Sequence, residues 1–179
     1  MNLLRTIRLD VSDTFIFDAA AEPGEWAVSG AFAFWAANPD EFSGKKRAAF
    51  RGGFLGVDSL GWSTLVQVVE ATDADRAAVV ETLALRLVEK FGAPDLATAR
   101  RAAAEEVAFA ASLAEQPKDT LVAVHRRFED GEVREAFRTL QTRGGPKPLR
   151  AFSFMEVEGE DEPPADDVDL VSLAERQRR

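Results

Sequence analysis

The segment LVAVHRRFEDGEVREAFRTLQ, residues 121–141, contains the clearest hairpin signal in the chain. Apolar and polar side chains alternate on both sides of the dipeptide Asp130-Gly131. Asp-Gly between two such runs is typical of a tight turn that joins antiparallel strands. A two-residue turn places Phe128 opposite Val133. The segment therefore predicts an antiparallel hairpin that belongs to a larger sheet.

This register divides the hairpin into two faces. One face pairs Arg126 with Glu135, whereas the other places Arg127 opposite Arg134. Like charges that lie opposite each other on neighbouring strands are destabilising, so the second face predicts an acidic partner. The alternative is a row of solvated surface charges. The candidate binding residues, which we call the basic face, are His125, Arg127, Arg134 and Arg138.

Charge is distributed unevenly along the chain. Residues 120–150 hold seven basic and four acidic side chains, whereas residues 151–179 hold nine acidic and three basic ones. We expect one domain over residues 1–157 and an acidic, flexible tail over residues 158–179. The tail itself, or an acidic segment of a protein partner, is the expected ligand of the basic face. The net charge of −9 argues against nucleic acid as a partner, because such binding depends on neutralising phosphates.

The rest of the pattern predicts an α+β fold. Residues 26–35 (WAVSGAFAFW) alternate large and small side chains, which favours a strand. Two consecutive helices are predicted, one from residue 73 to the glycine at 92 and one from residue 95 to about 115. The expected architecture is a mostly antiparallel sheet packed on one face by these two helices. Further strands are predicted at residues 3–9, 14–17, 60–71 and 149–157, and short helices at residues 45–51 and 170–179.

The composition excludes several kinds of chemistry. The chain has no cysteine and one histidine. This composition excludes disulfides, thiolate catalysis, iron–sulfur clusters and Cys/His zinc sites. His125 has no serine in a G-x-S-x-G pattern to activate. Glu105 and Glu106 are adjacent in a helix and point about 100° apart, so they are poorly placed to share an ion. We predict no catalytic residues, no cofactor and no metal site.

Two other clusters of charged residues are better explained by local structural roles than by ligand binding. The acids Asp10, Asp13 and Asp18 lack the spacing of a calcium loop and fit turns and helix caps. Residues 44–47 (GKKR) resemble a phosphate-binding loop only loosely, because the Walker pattern is absent. The start of the chain has no signal-peptide core and no stretch is apolar enough to span a membrane, so we expect a cytoplasmic protein without membrane contact. Homo-oligomerisation stays open.

Aromatic residues raise a second functional hypothesis. The tryptophans and several phenylalanines could line one pocket, which would suit a small-molecule binding protein or an enzyme, but filling of the core is the simpler interpretation. The residues concerned are Trp26, Phe32, Phe34, Trp35, Phe54 and Trp62.

Four runs of sequence resemble a family of uncharacterised proteobacterial proteins, a domain of unknown function. The runs are LLRTIRLD (residues 3–10), EPGEWAVSG (22–30), FLGV (54–57) and GWSTLV (61–66). The resemblance extends from residue 3 to about residue 141 and implies no activity or catalytic residue. Such proteins are associated with accessory genes beside molybdenum-dependent formate dehydrogenases. The expected function is therefore a non-enzymatic accessory or protein-interaction protein that assists a metabolic oxidoreductase.

Overall fold

The computed structural model describes residues 1–141. Seven strands form one sheet in which every neighbouring pair is antiparallel. They are β1 (Asn2–Ile7), β2 (Trp26–Val28), β3 (Phe54–Gly56), β4 (Trp62–Ser63), β5 (Leu65–Glu70), β6 (Leu121–Glu129) and β7 (Glu132–Leu140). Their order across the sheet is β4-β3-β2-β1-β5-β6-β7. The helices are α1 (Ser12–Ile16), α2 (Gly44–Gly52), α3 (Asp73–Phe91) and α4 (Leu96–Leu113). The predicted α+β fold is confirmed.

The helix pair α3–α4 forms where the sequence predicts it. Thr72 and Asp75 make a reciprocal capping box at the start of α3, and Gly92 ends that helix with a left-handed φ of 73°. Asp95 caps α4 by accepting a hydrogen bond of 2.7 Å from the Thr98 backbone N–H. Small residues line the buried side of α4, so this helix approaches β1 and β2 closely.

The sheet is strongly curled. Arg126 of β6 donates to the Ser29 hydroxyl over 3.3 Å, and Ser29 directly follows β2. Two strands, β1 and β5, separate β6 from β2 in the sheet. In a flat sheet the three intervening spacings would total about 14 Å, which is beyond the reach of an arginine side chain. Curling therefore brings the hairpin β6–β7 back toward β2, β3 and α2.

Two groups of buried residues fill this structure. The larger one lies between the sheet and the pair α3–α4. The smaller one is an aromatic cluster built around Phe34, Phe42 and Phe50, against which Phe128 and Val133 of the hairpin pack. The tip of the hairpin is thus fixed to α2 by apolar contacts.

The strand predicted over residues 26–35 is wrong beyond its first three residues. Gly30 adopts a left-handed φ of 79°, and residues 31–34 form a short 3₁₀ turn. A Cβ at Gly30 would lie 2.6 Å from the Cβ of Leu55, so the chain turns here directly against β3. Trp35 lies outside the sheet and is 81% exposed.

The strand predicted over residues 14–17 is also wrong, because Ser12–Ile16 is helical. A tertiary contact accounts for the difference. The buried carboxylate of Asp13 accepts hydrogen bonds from the backbone N–H of Thr64 (3.1 Å) and from its hydroxyl (2.5 Å). This contact fixes the first turn of α1 to Thr64, the residue between β4 and β5, and local propensity does not predict it.

The remaining elements are close to the sequence-based bounds. The strand predicted over residues 60–71 is divided into β4 and β5, and the helix predicted at residues 45–51 is α2. No helix within residues 1–141 is both long and apolar enough to cross a membrane. The strand at 149–157, the helix at 170–179, the domain end at 157 and the tail at 158–179 lie outside the described residues.

Candidate functional site

The hairpin β6–β7 has the register that Asp130-Gly131 predicts. Phe128 pairs with Val133, and Arg127 pairs with Arg134. The turn residues Asp130 and Gly131 have φ values of 54° and 77°, as a two-residue turn of this kind requires. Strand β7 of the hairpin is the edge strand on this side of the sheet, and the two faces of the hairpin have different surroundings.

All four predicted binding residues are exposed on one face. His125 and Arg127 alternate with buried residues along β6, and Arg134 and Arg138 alternate with half-buried residues along β7. The structure therefore brings together the complete basic face.

Acidic residues at the hairpin turn offset the like charges of the basic face. Glu129 lies 3.7 Å from Arg127 and 3.9 Å from Arg134, and Asp130 lies 3.7 Å from Arg134. All of these side chains are exposed, and the distances are longer than hydrogen bonds. Such pairs each contribute less than about 1 kcal/mol, so they offset part of the charge of Arg127 and Arg134 without fixing these side chains in one arrangement.

The opposite face of the hairpin holds a buried arginine. The Nε of Arg126 donates to Glu135 Oε1 over 2.7 Å, and Nη1 donates to the carbonyls of Gly53 (2.7 Å) and Phe50 (3.1 Å). Nη2 donates to the carbonyl and the hydroxyl of Ser29. A guanidinium has five N–H donors, and these five acceptors use them all. We call this arrangement the Arg126 clasp.

The clasp has a structural rather than a ligand-binding character. Burial lowers the pKa of the Arg126 guanidinium from its ordinary value, while the charge of Glu135 opposes that shift. Arginine nevertheless stays charged in proteins. Because no N–H donor is left over, an anionic ligand could bind Arg126 only by displacing a protein acceptor.

A third charged residue lies beside the clasp. Glu106 projects from α4 and is half-buried. Burial, and then the negative charge of Glu135, raise the pKa of the Glu106 carboxyl to about 7, while the charge of Arg126 acts in the opposite direction. At neutral pH this group is therefore divided between its protonated and ionised forms.

The aromatic residues proposed to line a pocket lie in different places. Phe34 stacks on Trp62 with ring centroids 5.1 Å apart, inside the smaller core cluster. Phe32 contacts Phe91 of α3, and Arg5 covers the ring of Trp26 at 3.7 Å. Phe54 is fully buried near Phe137, and Trp35 is exposed. A surface depression of about 370 Å³ between β1 and α4 is lined by none of these rings.

The other polar motifs have local structural roles. Asp10 accepts a hydrogen bond of 2.7 Å from the Ser12 backbone at the start of α1. In the GKKR run, Lys46 lies 4.4 Å above the ring of Phe42, and Arg47 donates to the Phe42 carbonyl over 2.7 Å. These contacts hold α2 against the chain that precedes it.

Sequence reasoning paired Arg126 with Glu135 but missed their burial. It considered Glu106 only as an ion ligand and missed its partial burial. One signal was present for the arginine. Arg126 follows Val122 and Val124 at a spacing of two residues, so it occupies the apolar face of β6. No comparable signal marks Glu106, because two of the three charged groups that act on it, Arg126 and Glu135, come from β6 and β7.

These features define an α+β protein in which one curled antiparallel sheet carries a helix pair and presents an edge hairpin. The chain belongs to DUF6505, a family of unknown function whose model matches residues 1–154. The resemblance to a family of uncharacterised proteins is thereby confirmed. No curated protein and no solved structure matches the chain.

Proposed function

We propose that this protein is a non-enzymatic interaction protein that binds an acidic polypeptide segment on its basic face. The observation that carries the proposal is the placement of His125, Arg127, Arg134 and Arg138 together, exposed, on one face of a hairpin at the edge of the sheet.

The existing ion pairs favour an exchangeable contact. Among residues 1–141, the ion pairs of Arg127 and Arg134 are long, exposed pairs to Glu129 and Asp130, so a ligand carboxylate can replace those partners at little free-energy cost. Exposed charges are screened over about 8 Å at physiological ionic strength. Binding is therefore weak, rapidly reversible and sensitive to salt.

The nearest acidic segment lies in the same chain. Residues 156–169 contain eight acidic and no basic side chains, and they begin fifteen positions after residue 141. Closing a loop of this length costs little, since each doubling of loop length adds only about 0.6 kcal/mol. An acidic segment of another protein would compete for the same face. A metabolic oxidoreductase, the partner that the family resemblance implies, would supply such a segment in an accessory role.

The test uses a labelled peptide of residues 156–169 and a full-length variant whose eight acids in that segment are replaced by the corresponding amides. The peptide is expected to bind, and its affinity to fall by about tenfold or more between low and high salt. The triple substitution R127Q/R134Q/R138Q is expected to weaken binding by about tenfold at low salt.

The matched control removes three charges from α2 by K45Q/K46Q/R51Q. It changes the net charge equally and should leave most of the affinity intact. Equal losses in both triple variants would mean that the peptide responds to overall charge and that the basic face is not its site.

A further inference from the structure

The helix α4 and the strand β7 contact each other through a pair of aromatic side chains. Phe109 packs edge-on against Phe137 with ring centroids 5.7 Å apart. One helical turn earlier on α4 is Glu106, and two residues earlier on the same face of β7 is Glu135. The aromatic pair therefore joins α4 to β7, and each of these elements carries a carboxyl group next to its ring.

No group of the Arg126 clasp is free to donate a hydrogen bond to the Glu106 carboxyl. All five N–H groups of Arg126 already have acceptors, and the Ser29 hydroxyl donates to Glu135 Oε1 over 2.5 Å. The charge of Arg126 acts on both Glu106 and Glu135, but the guanidinium hydrogen-bonds only the carboxylate of Glu135. An ionised carboxylate at Glu106 would be partly desolvated and repelled by Glu135.

The charged groups that act on Glu106 come from three elements. They are Glu135 on β7, Arg126 on β6 and Glu105 beside it on α4. The helix α3 and the strands β1 and β2 also pack against α4, and within residues 1–141 none of their charged side chains shifts the pKa of Glu106. The balance of charge at this contact is therefore set by the hairpin and α4.

We propose that Glu106 is a protonation switch for the contact between α4 and the hairpin β6–β7. The neutral carboxyl lets the hairpin close on α4, and ionisation weakens that contact. The raised pKa of about 7 places the change at neutral pH.

The direction of the effect follows from proton linkage. When the contact opens and the carboxyl is solvated, its pKa returns toward about 4.3. The closed state then binds more protons than the open state between the two pKa values, so closure weakens as pH rises. The full stabilisation is present below about pH 4 and is lost by the time the pH has risen through about 7.

The first test measures hydrogen exchange of the β7 amides in the full chain at pH 6 and pH 8, corrected for intrinsic exchange. Wild-type protection is expected to fall by about fivefold to tenfold over this interval. Glu106→Gln should remove most of that fall, and the neighbouring control Glu105→Gln should retain it. An equal fall in wild type and Glu106→Gln, or no fall in wild type, would overturn the proposal.

A second measurement does not depend on any variant. The side-chain carboxyl of Glu106 can be followed by NMR as the wild-type protein is titrated. A midpoint near pH 7 is expected, and a midpoint near pH 4 to 5, typical of a solvated glutamate, would overturn the proposal.

Discussion

Arg126 connects parts of the chain that lie far apart in sequence. Its side chain reaches Ser29 beyond β2, Phe50 and Gly53 at the end of α2, and Glu135 on β7. Two of these acceptors are carbonyls at the C-terminal end of a helix, where a cation is favourable. The side chain of one residue, Arg126, therefore stabilises the curled arrangement of the sheet.

The clasp leads to a prediction about adjacent arginines. Arg126→Met removes the donor of three buried carbonyls and leaves the Glu135 carboxylate with only the Ser29 hydroxyl, so it should cost about 3–5 kcal/mol of unfolding free energy. Arg127→Met removes only an exposed pair and should cost less than about 1 kcal/mol. Urea denaturation of both variants provides the comparison. Similar costs at the two positions would show that the clasp does not stabilise the fold.

Two glycines with a positive φ lead to a second prediction about single residues. Gly24 and Gly30 both have a positive φ, but only Gly30 has a neighbour where a Cβ would lie. Gly24→Ala should cost about 1 kcal/mol from the backbone alone. Gly30→Ala should cost about 2–4 kcal/mol, because Leu55 and Trp62 must also move. Thermal unfolding measures both, and an equal cost would contradict the close approach to β3.

The elements differ in how far the sequence predicts them. The hairpin and the helix pair were predictable because their signals are local: Asp130-Gly131 sets the turn, and Thr72 and Asp95 cap the helices. Residues 26–35 were misassigned because the chain turns out of the strand at Gly30, where β3 lies close to the backbone. The environment of Glu106 was missed for the same reason, since the groups that raise its pKa include Glu135 on a distant segment.

The orientation of α3 is tested by two leucines on one helix. Leu83 is fully buried and Leu85 is 45% exposed. Leu83→Ala should cost about 2–5 kcal/mol as a truncation in the core, and Leu85→Ala less than about 1 kcal/mol. The same denaturation assay applies to both. If Leu85→Ala proves the more costly, the helix has been assigned the wrong face.

In the whole molecule, the two faces of the hairpin β6–β7 have different roles: one stabilises the fold and the other carries exposed positive charge. Its inner face holds the Arg126 clasp, which has no donor left over, and its outer face is the basic face, which is exposed. Substitutions on the outer face are therefore expected to change binding without unfolding the protein. This separation makes the proposed interaction testable apart from stability.

The most direct test of the interaction compares NMR spectra of the full chain and a chain that ends at residue 157, at low and at high salt. If the acidic tail binds the basic face, removing residues 158–179 should shift the backbone resonances of residues 127–138 at low salt. These shifts should vanish at high salt, and the resonances of α3 should stay unchanged. If the resonances of residues 127–138 do not respond to truncation at low salt, the acidic tail does not bind the basic face.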